Sequence, residues 1–224
     1  MIGIPVALAA SNVFEWYFHK HVLHGKGRHG GWWKFHLHRH HANALVLQGY
    51  DPDYLKGFWR SEPQFKEVAG LVAVTLPFLP LLPVAPFFTG TVVYCSWNYY
   101  RCHKKAHLDP DWARRKLPWH YDHHMGPDQE ANWCVTRPWA DVWFGTRKPY
   151  VGTPMEEADE LRRAPRRPVG VQAARVRQEE RDAAEAARSA SAPTVRAAEA
   201  PRTPRATKPR APGGSAPAPG PAPA

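Results

Sequence analysis

The stretch VAGLVAVTLPFLPLLPVAPFFTGTVVYCSWNYY, residues 68–100, contains no charged side chain. As one continuous helix it would run about 50 Å, too long for a single crossing of the ~30 Å hydrocarbon core of a bilayer. Pro77, Pro80, Pro83 and Pro86 sit three apart in its middle. Proline removes a helical donor and clashes with the preceding turn, so the helix must break there. The stretch therefore predicts a helical hairpin with arms at about 66–79 and 85–102 and its proline-rich turn at the far side of a membrane. Arms this short also fit a shallow or re-entrant hairpin.

Upstream, residues 1–18 carry one charge, Glu15. They lack the basic start and small-residue cleavage site of a signal peptide, so they read as a retained helix entering the membrane. The apolar run starts abruptly, which leaves room for a further span upstream. Lys and Arg are absent from 1–19 and 67–100, whereas 20–66 holds eight against three acids and 101–155 nine against six. The positive-inside rule puts both polar segments on the cytoplasmic face.

From residue 156 the composition shifts to Ala, Pro, Arg, Glu and Ser, with 13 basic and 9 acidic residues, net +4. Too little apolar surface exists there to offset ordering entropy. The expected organisation is a membrane-embedded domain over 1–155 and a disordered tail over 156–224, also cytoplasmic. The fold class expected is all-α: an integral membrane helical protein with a cytosolic histidine-rich cap. The chain's net charge of +10 reads as solvated surface and tail, and no nucleic-acid partner is expected. Cys95, Cys102 and Cys134 are too few and scattered for a disulfide framework or a cysteine zinc site.

Thirteen histidines in 224 residues, all between His19 and His124, are the chemical signal. All but His29 form four clusters: His19, His21 and His24; His36, His38, His40 and His41; His103 and His107; and His120, His123 and His124. Residues three and four apart share a helix face. His103 thus aligns with His107, and His120 with His123 and His124. His36 aligns with His40, and His38 with His41. His19 and His24 are five apart and need a helix end or bend to converge. Imidazole suits iron, zinc, copper and nickel, and four convergent sets exceed the three or four protein ligands of one ion. About ten donors match two ions. The HExxH of metallohydrolases and the Glu plus ExxH of carboxylate-bridged di-iron bundles are both missing.

The order H-x4-H, a cluster ending in HH, an apolar hairpin, H-x3-H and H-x2-HH resembles the fatty acid hydroxylase / sterol desaturase superfamily of membrane di-metal oxygenases. The segment Asn132-Trp-Cys-Val-Thr-Arg-Pro-Trp139-Ala-Asp141-Val-Trp-Phe144-Gly145-Thr146 is similar to the Asn, Trp-Asp and Phe-Gly-Thr elements after that family's last HH, with Ala140 interrupting the Trp-Asp pair. The resemblance spans roughly residues 8–150. It implies as metal ligands His19 and His24, His40 and His41, His103 and His107, and His120, His123 and His124. The usual third histidine of the second motif falls on Leu37, so His36 or His38 supplies that donor. His36 is favoured for its i,i+4 spacing to His40, with His38 the alternative. His21 and His29 match no ligand position. Asp122 and Asp141 are candidates to orient imidazole N–H groups.

The resemblance implies two iron ions, with zinc an acceptable occupant in isolated protein. It implies no catalytic residue beyond the ligands. The expected activity is O2-dependent hydroxylation of a C–H bond in a lipid: a fatty acid, sterol or related isoprenoid. Desaturation or carotenoid hydroxylation is the alternative within the same chemistry, and a non-catalytic membrane metal-binding protein is the alternative outside it. Electrons must come from a separate donor protein, because no flavin, nicotinamide, haem or iron–sulfur motif is present.

Overall fold

A computed structural model describes residues 2–163 of the chain. Regular structure among them is entirely helical, as the sequence implies. Helix α1 (Gly3–Tyr17) continues without a break into a π-helical stretch, Phe18–Lys26. A second π-helical stretch, His36–His41, leads into the short α2 (Ala42–Val46).

The hairpin follows. Helix α3 (Glu62–Thr75) tightens into a 3-10 turn at Leu76–Leu81, which holds Pro77 and Pro80, and α4 (Pro86–Leu108) returns. A hydrogen bond of 2.7 Å between the Thr75 and Ser96 hydroxyls ties the arms together. The second arm runs past its expected end at 102, because nothing breaks a helix before Asp109-Pro110. That extension places His103 and His107 on a rigid rod.

Glu62–Leu81 is long and apolar enough to cross a membrane, and only 17% of its apolar window is buried. It is the one such helix among the described residues. Helix α1 is short and α4 carries charge toward its end. Both α1 and α3 pack on α4.

Two short helices, α5 (Pro110–Lys116) and α6 (Pro118–Met125), roof the open end of this bundle. Each starts on a proline, which fits the first helical turn. Asp109 caps α5 through the Trp112 N–H at 3.0 Å. A loop then leads to α7 (Trp139–Trp143) and α8 (Pro154–Arg163). The apolar core beneath the roof is small, centred on Cys102, Ala106, Ala113, Leu117 and Val135. Most of the bulkiest fully buried side chains are histidines instead.

The expected boundary at residue 155 is corrected by α8. Residues 156–163 are helical rather than part of a disordered tail, because Glu156 is buried against Arg114. The guanidinium donates to both carboxylate oxygens, at 2.7 and 2.8 Å, and the Gly152 N–H adds a bond of 2.7 Å. The rest of the expected tail lies outside the described residues. Arg114→Ala leaves a buried carboxylate without its cation, so it should destabilise the protein by about 1–3 kcal/mol, read as a lowered thermal midpoint in detergent.

Candidate metal centre

Two kinds of backbone bring the histidines together. Along α4 and α6, ordinary helical spacing applies: His103 and His107 are four apart, as are His120 and His124. In the two π-helical stretches the i→i+5 hydrogen-bond pattern aligns residues five apart. This is the bend that His19 and His24 require. It also corrects the expected partner of His36, which groups with His41 rather than His40.

Ten imidazoles are buried as two adjoining groups. The donor atoms of His19, His24, His36, His41 and His123 lie within 4.8 Å of one another, and so do those of His40, His103, His107 and His124. His120 joins the second group, its Nε2 standing 3.1 Å from His107 Nε2. The groups touch, with the His41 and His124 ring centroids 4.3 Å apart. These ten are the ligand set implied by the sequence, with His36 rather than His38 inside. His21, His29 and His38 are exposed.

The outer nitrogens fix ring orientation. His19 Nδ1 bonds the Trp133 carbonyl at 2.6 Å, His123 Nδ1 the Ala131 carbonyl at 2.7 Å, and His107 Nδ1 the Gly49 carbonyl at 2.9 Å. A carbonyl only accepts, so each of these rings donates from Nδ1 and turns a lone pair inward at Nε2. Carboxylates do the same for three more: Asp51 for His40 at 2.8 Å, Glu67 for His103 at 2.7 Å, and Glu130 for His24 at 3.2 Å. The Gln129 side-chain oxygen stands 3.3 Å from His41 Nδ1.

The inner nitrogens then face one another. Nε2–Nε2 distances are 2.9 Å for His19–His36 and 3.2 Å for each of His24–His41, His36–His41 and His41–His123. The His24, His41 and His123 rings all donate outward, so no proton remains to join their inner nitrogens. Protonation does not supply one either. Burial and neighbouring imidazoles push His19, His36, His41, His107, His120 and His124 well below the ordinary value. His24 falls to about 2 and His123 to about 4, burial being the main cause. In the second group the buried Nε2 atoms of His40, His103 and His124 have no hydrogen-bond partner.

Neutral lone pairs converging at these distances fit a cation. Two nitrogens bound at about 2.0–2.1 Å to one ion stand roughly 3 Å apart. The buried clusters can therefore hold metal, and an all-imidazole donor set suits iron, zinc, copper or nickel.

Neither expected aspartate touches an imidazole. Asp122 accepts the Val151 N–H at 2.8 Å and pairs with Arg147 at 2.7 Å, because its helix position turns it away from the histidine face. Asp141 accepts the Trp133 and Cys134 N–H groups at 2.8 and 2.9 Å. It holds the peptide whose neighbouring carbonyl receives His19. Glu15 and Asn12 of α1 clamp the same loop, through the Thr136 N–H at 2.7 Å and the Arg137 carbonyl.

The acids that do orient imidazoles were not singled out in the sequence. Asp51 lies outside the histidine clusters, and no local spacing ties it to one of them. Glu67 offered the clearer signal, being the last charge before the uncharged stretch. Tyr54 was also missed: its hydroxyl donates to Glu67 at 2.6 Å, and its ring stacks on His107. Gly49 has φ 92°, and a Cβ there would stand 3.1 Å from Pro110, so only glycine presents this carbonyl to His107 comfortably.

A cavity of about 340 Å³ reaches this centre from between α1, α3 and α4. Its walls are mainly apolar, among them Phe14, Leu71, Val74, Phe78, Phe88 and Val92, and its inner end includes His19, His36 and His103. Compared with protein-family models, curated proteins and solved structures, the chain matches none.

Cobalt titration of purified full-length protein should saturate at about two ions per chain, and His36→Ala should lose the first site while His38→Ala keeps both. Asp51→Asn should weaken the second site about 10–100-fold. Metal-free protein should lose stability as pH falls from 7 toward 4. The unfolded chain protonates near the ordinary imidazole value of 6.5, whereas folded His123 does so only near 4. Denaturant midpoints across that range check the sign.

Proposed function

We propose that this chain is an integral membrane lipid hydroxylase that uses O2 and electrons from a separate donor protein. One observation carries the reading: the apolar cavity ends on imidazoles of both histidine groups, His19 and His36 of one and His103 of the other. A hydrocarbon held in that cavity would present its reacting carbon beside both metal positions. Hydrolytic chemistry would call for a polar cleft, whereas the walls of this cavity are mainly apolar.

Membrane embedding is supported by the exposed faces of the hairpin. Val72, Leu76, Leu79, Leu82, Val84, Phe87 and Val93 all point outward, a cost in water that a bilayer removes. The histidine cap falls on the basic side of the chain, which the positive-inside rule assigns to the cytoplasm. The metals proposed are two iron ions, which when bound would supply the redox chemistry that activates O2 toward a C–H bond.

The protein's own residues do the rest. Ten imidazoles hold the metals without adding charge. Asp51, Glu67 and Glu130, with the carbonyls of Gly49, Ala131 and Trp133, lock the rings in orientation and tautomer. Tyr54 and Glu67, both at the cavity's inner end, keep a proton between them on the substrate side of His103. The roof of α5 and α6 and the apolar walls exclude water from the reacting carbon.

The test is expression in a lipid-producing host followed by mass spectrometry. The expected product is a lipid heavier by one oxygen atom that is lost in His124→Ala. A product lighter by two hydrogens would replace hydroxylation by desaturation. Unchanged lipids, with both metal sites filled by iron and a reductant supplied, would overturn the enzymatic reading.

A further inference from the structure

The cavity extends along α4 from Phe88 to His103, about 22 Å of helical rise. Over that length the lining is mainly apolar, and its one end carries His19, His36 and His103. The cavity's long sides are α1 and α3, which both pack on α4, so the α1–α3 seam faces outward.

At the histidine end this seam is bridged by side chains. The Phe18 ring, just beyond α1, meets the Trp33 indole edge-on, with centroids 5.1 Å apart. The indole lies over Gly70 of α3, where a Cβ would stand 3.5 and 3.6 Å from its outer ring carbons. All three residues line the cavity, and Phe35 and His36 follow Trp33 within three positions. The chain enters this bridge through Gly30 and Gly31, with φ of 104° and 72° and no atom within 4 Å of where a Cβ would sit. Backbone freedom therefore lies next to the one large ring that spans the seam. Trp33 is half-buried, and a Cβ at position 70 would just meet the indole in van der Waals contact, so a longer side chain there would take its seat on α3.

We propose that Trp33, seated on Gly70, is the residue that determines which lipid reaches the histidines: it admits a single linear acyl chain through the α1–α3 seam and excludes fused rings. This rests on the lipid reading above and narrows it. The cavity's length suits a chain lying along α4. The indole, braced between Phe18 and Gly70, narrows the seam directly before His36, where a chain end passes and a fused ring system does not. Removing the ring opens the rim, whereas a side chain at position 70 occupies the indole's seat and crowds the passage.

Binding without turnover tests this. Full-length protein in nanodiscs is titrated with cis-parinaric acid, a linear fluorescent chain, and with cholestatrienol, a fluorescent sterol. Energy transfer from tryptophan is read against protein-free discs, and cobalt binding at both histidine groups serves as the control for folding. Wild type should favour the linear probe by about tenfold or more, Trp33→Ala should cut that preference below about threefold, and Trp33→Phe should restore most of it. Gly70→Leu, with Trp33 intact, should weaken the linear probe by about tenfold. Two outcomes overturn the assignment of Trp33 and leave the lipid reading standing. One is a wild-type preference kept in cobalt-binding Trp33→Ala. The other is unaltered parinaric acid binding in Gly70→Leu. Absence of saturable binding of either probe to wild type would overturn the lipid reading itself, and the proposal with it.

Discussion

Imidazole lone pairs meeting head-on in a dry interior are the constraint from which the rest of this structure follows. Inner nitrogens stand 2.9–3.2 Å apart in the first group, and the outer nitrogens of four of its five rings already donate elsewhere. Such contacts repel unless positive charge lies between them. Protons are a poor source of it, because a buried imidazolium loses its hydration and faces other imidazoles nearby. A metal ion satisfies all the inner lone pairs at once, so the apolar surroundings that penalise protonation favour coordination.

That constraint explains features with little meaning alone. The loop after α6 has no regular structure, yet α1 holds it at Thr136 and Arg137, and Asp141 holds it at Trp133 and Cys134. Its carbonyls at Ala131 and Trp133 must be fixed, since each sets the direction of one histidine. Glycine at position 49 and proline at the start of α5 serve the same end for His107. The cap's apolar core is small, and its buried rings are held by carboxylates and carbonyls.

The all-helical class, the hairpin and the ten clustered histidines were legible in the sequence because each rests on short-range periodicity. The uncharged run with prolines three apart has one economical reading. His103 with His107 follows from the pitch of an α-helix. The allocation of His36 and His41 to one group and His40 to the other was not legible, because α-helical spacing was assumed where the chain is π-helical. The orienting acids were hidden for another reason. Asp51, Glu67 and Glu130 reach their histidines across separations of 11, 36 and 106 residues, which local pattern does not encode. Asp122 and Asp141 drew attention through closeness in sequence to the last cluster, yet their carboxylates serve backbone and arginine partners. The ion pair of Glu156 with Arg114 spans 42 residues, so composition alone placed the end of order too early.

The long reach of these contacts has a consequence for how the molecule is made. The first group joins His19 to His123, and the second joins His40 to His124. Both therefore await α6, and the loop that orients His19 and His123 is translated later still. A ribosome-bound chain whose hairpin has already emerged carries scattered donors that cannot yet enclose an ion. The sites that could hold metal therefore form only late in synthesis. A chain interrupted before the final histidine pair would lack both assembled groups.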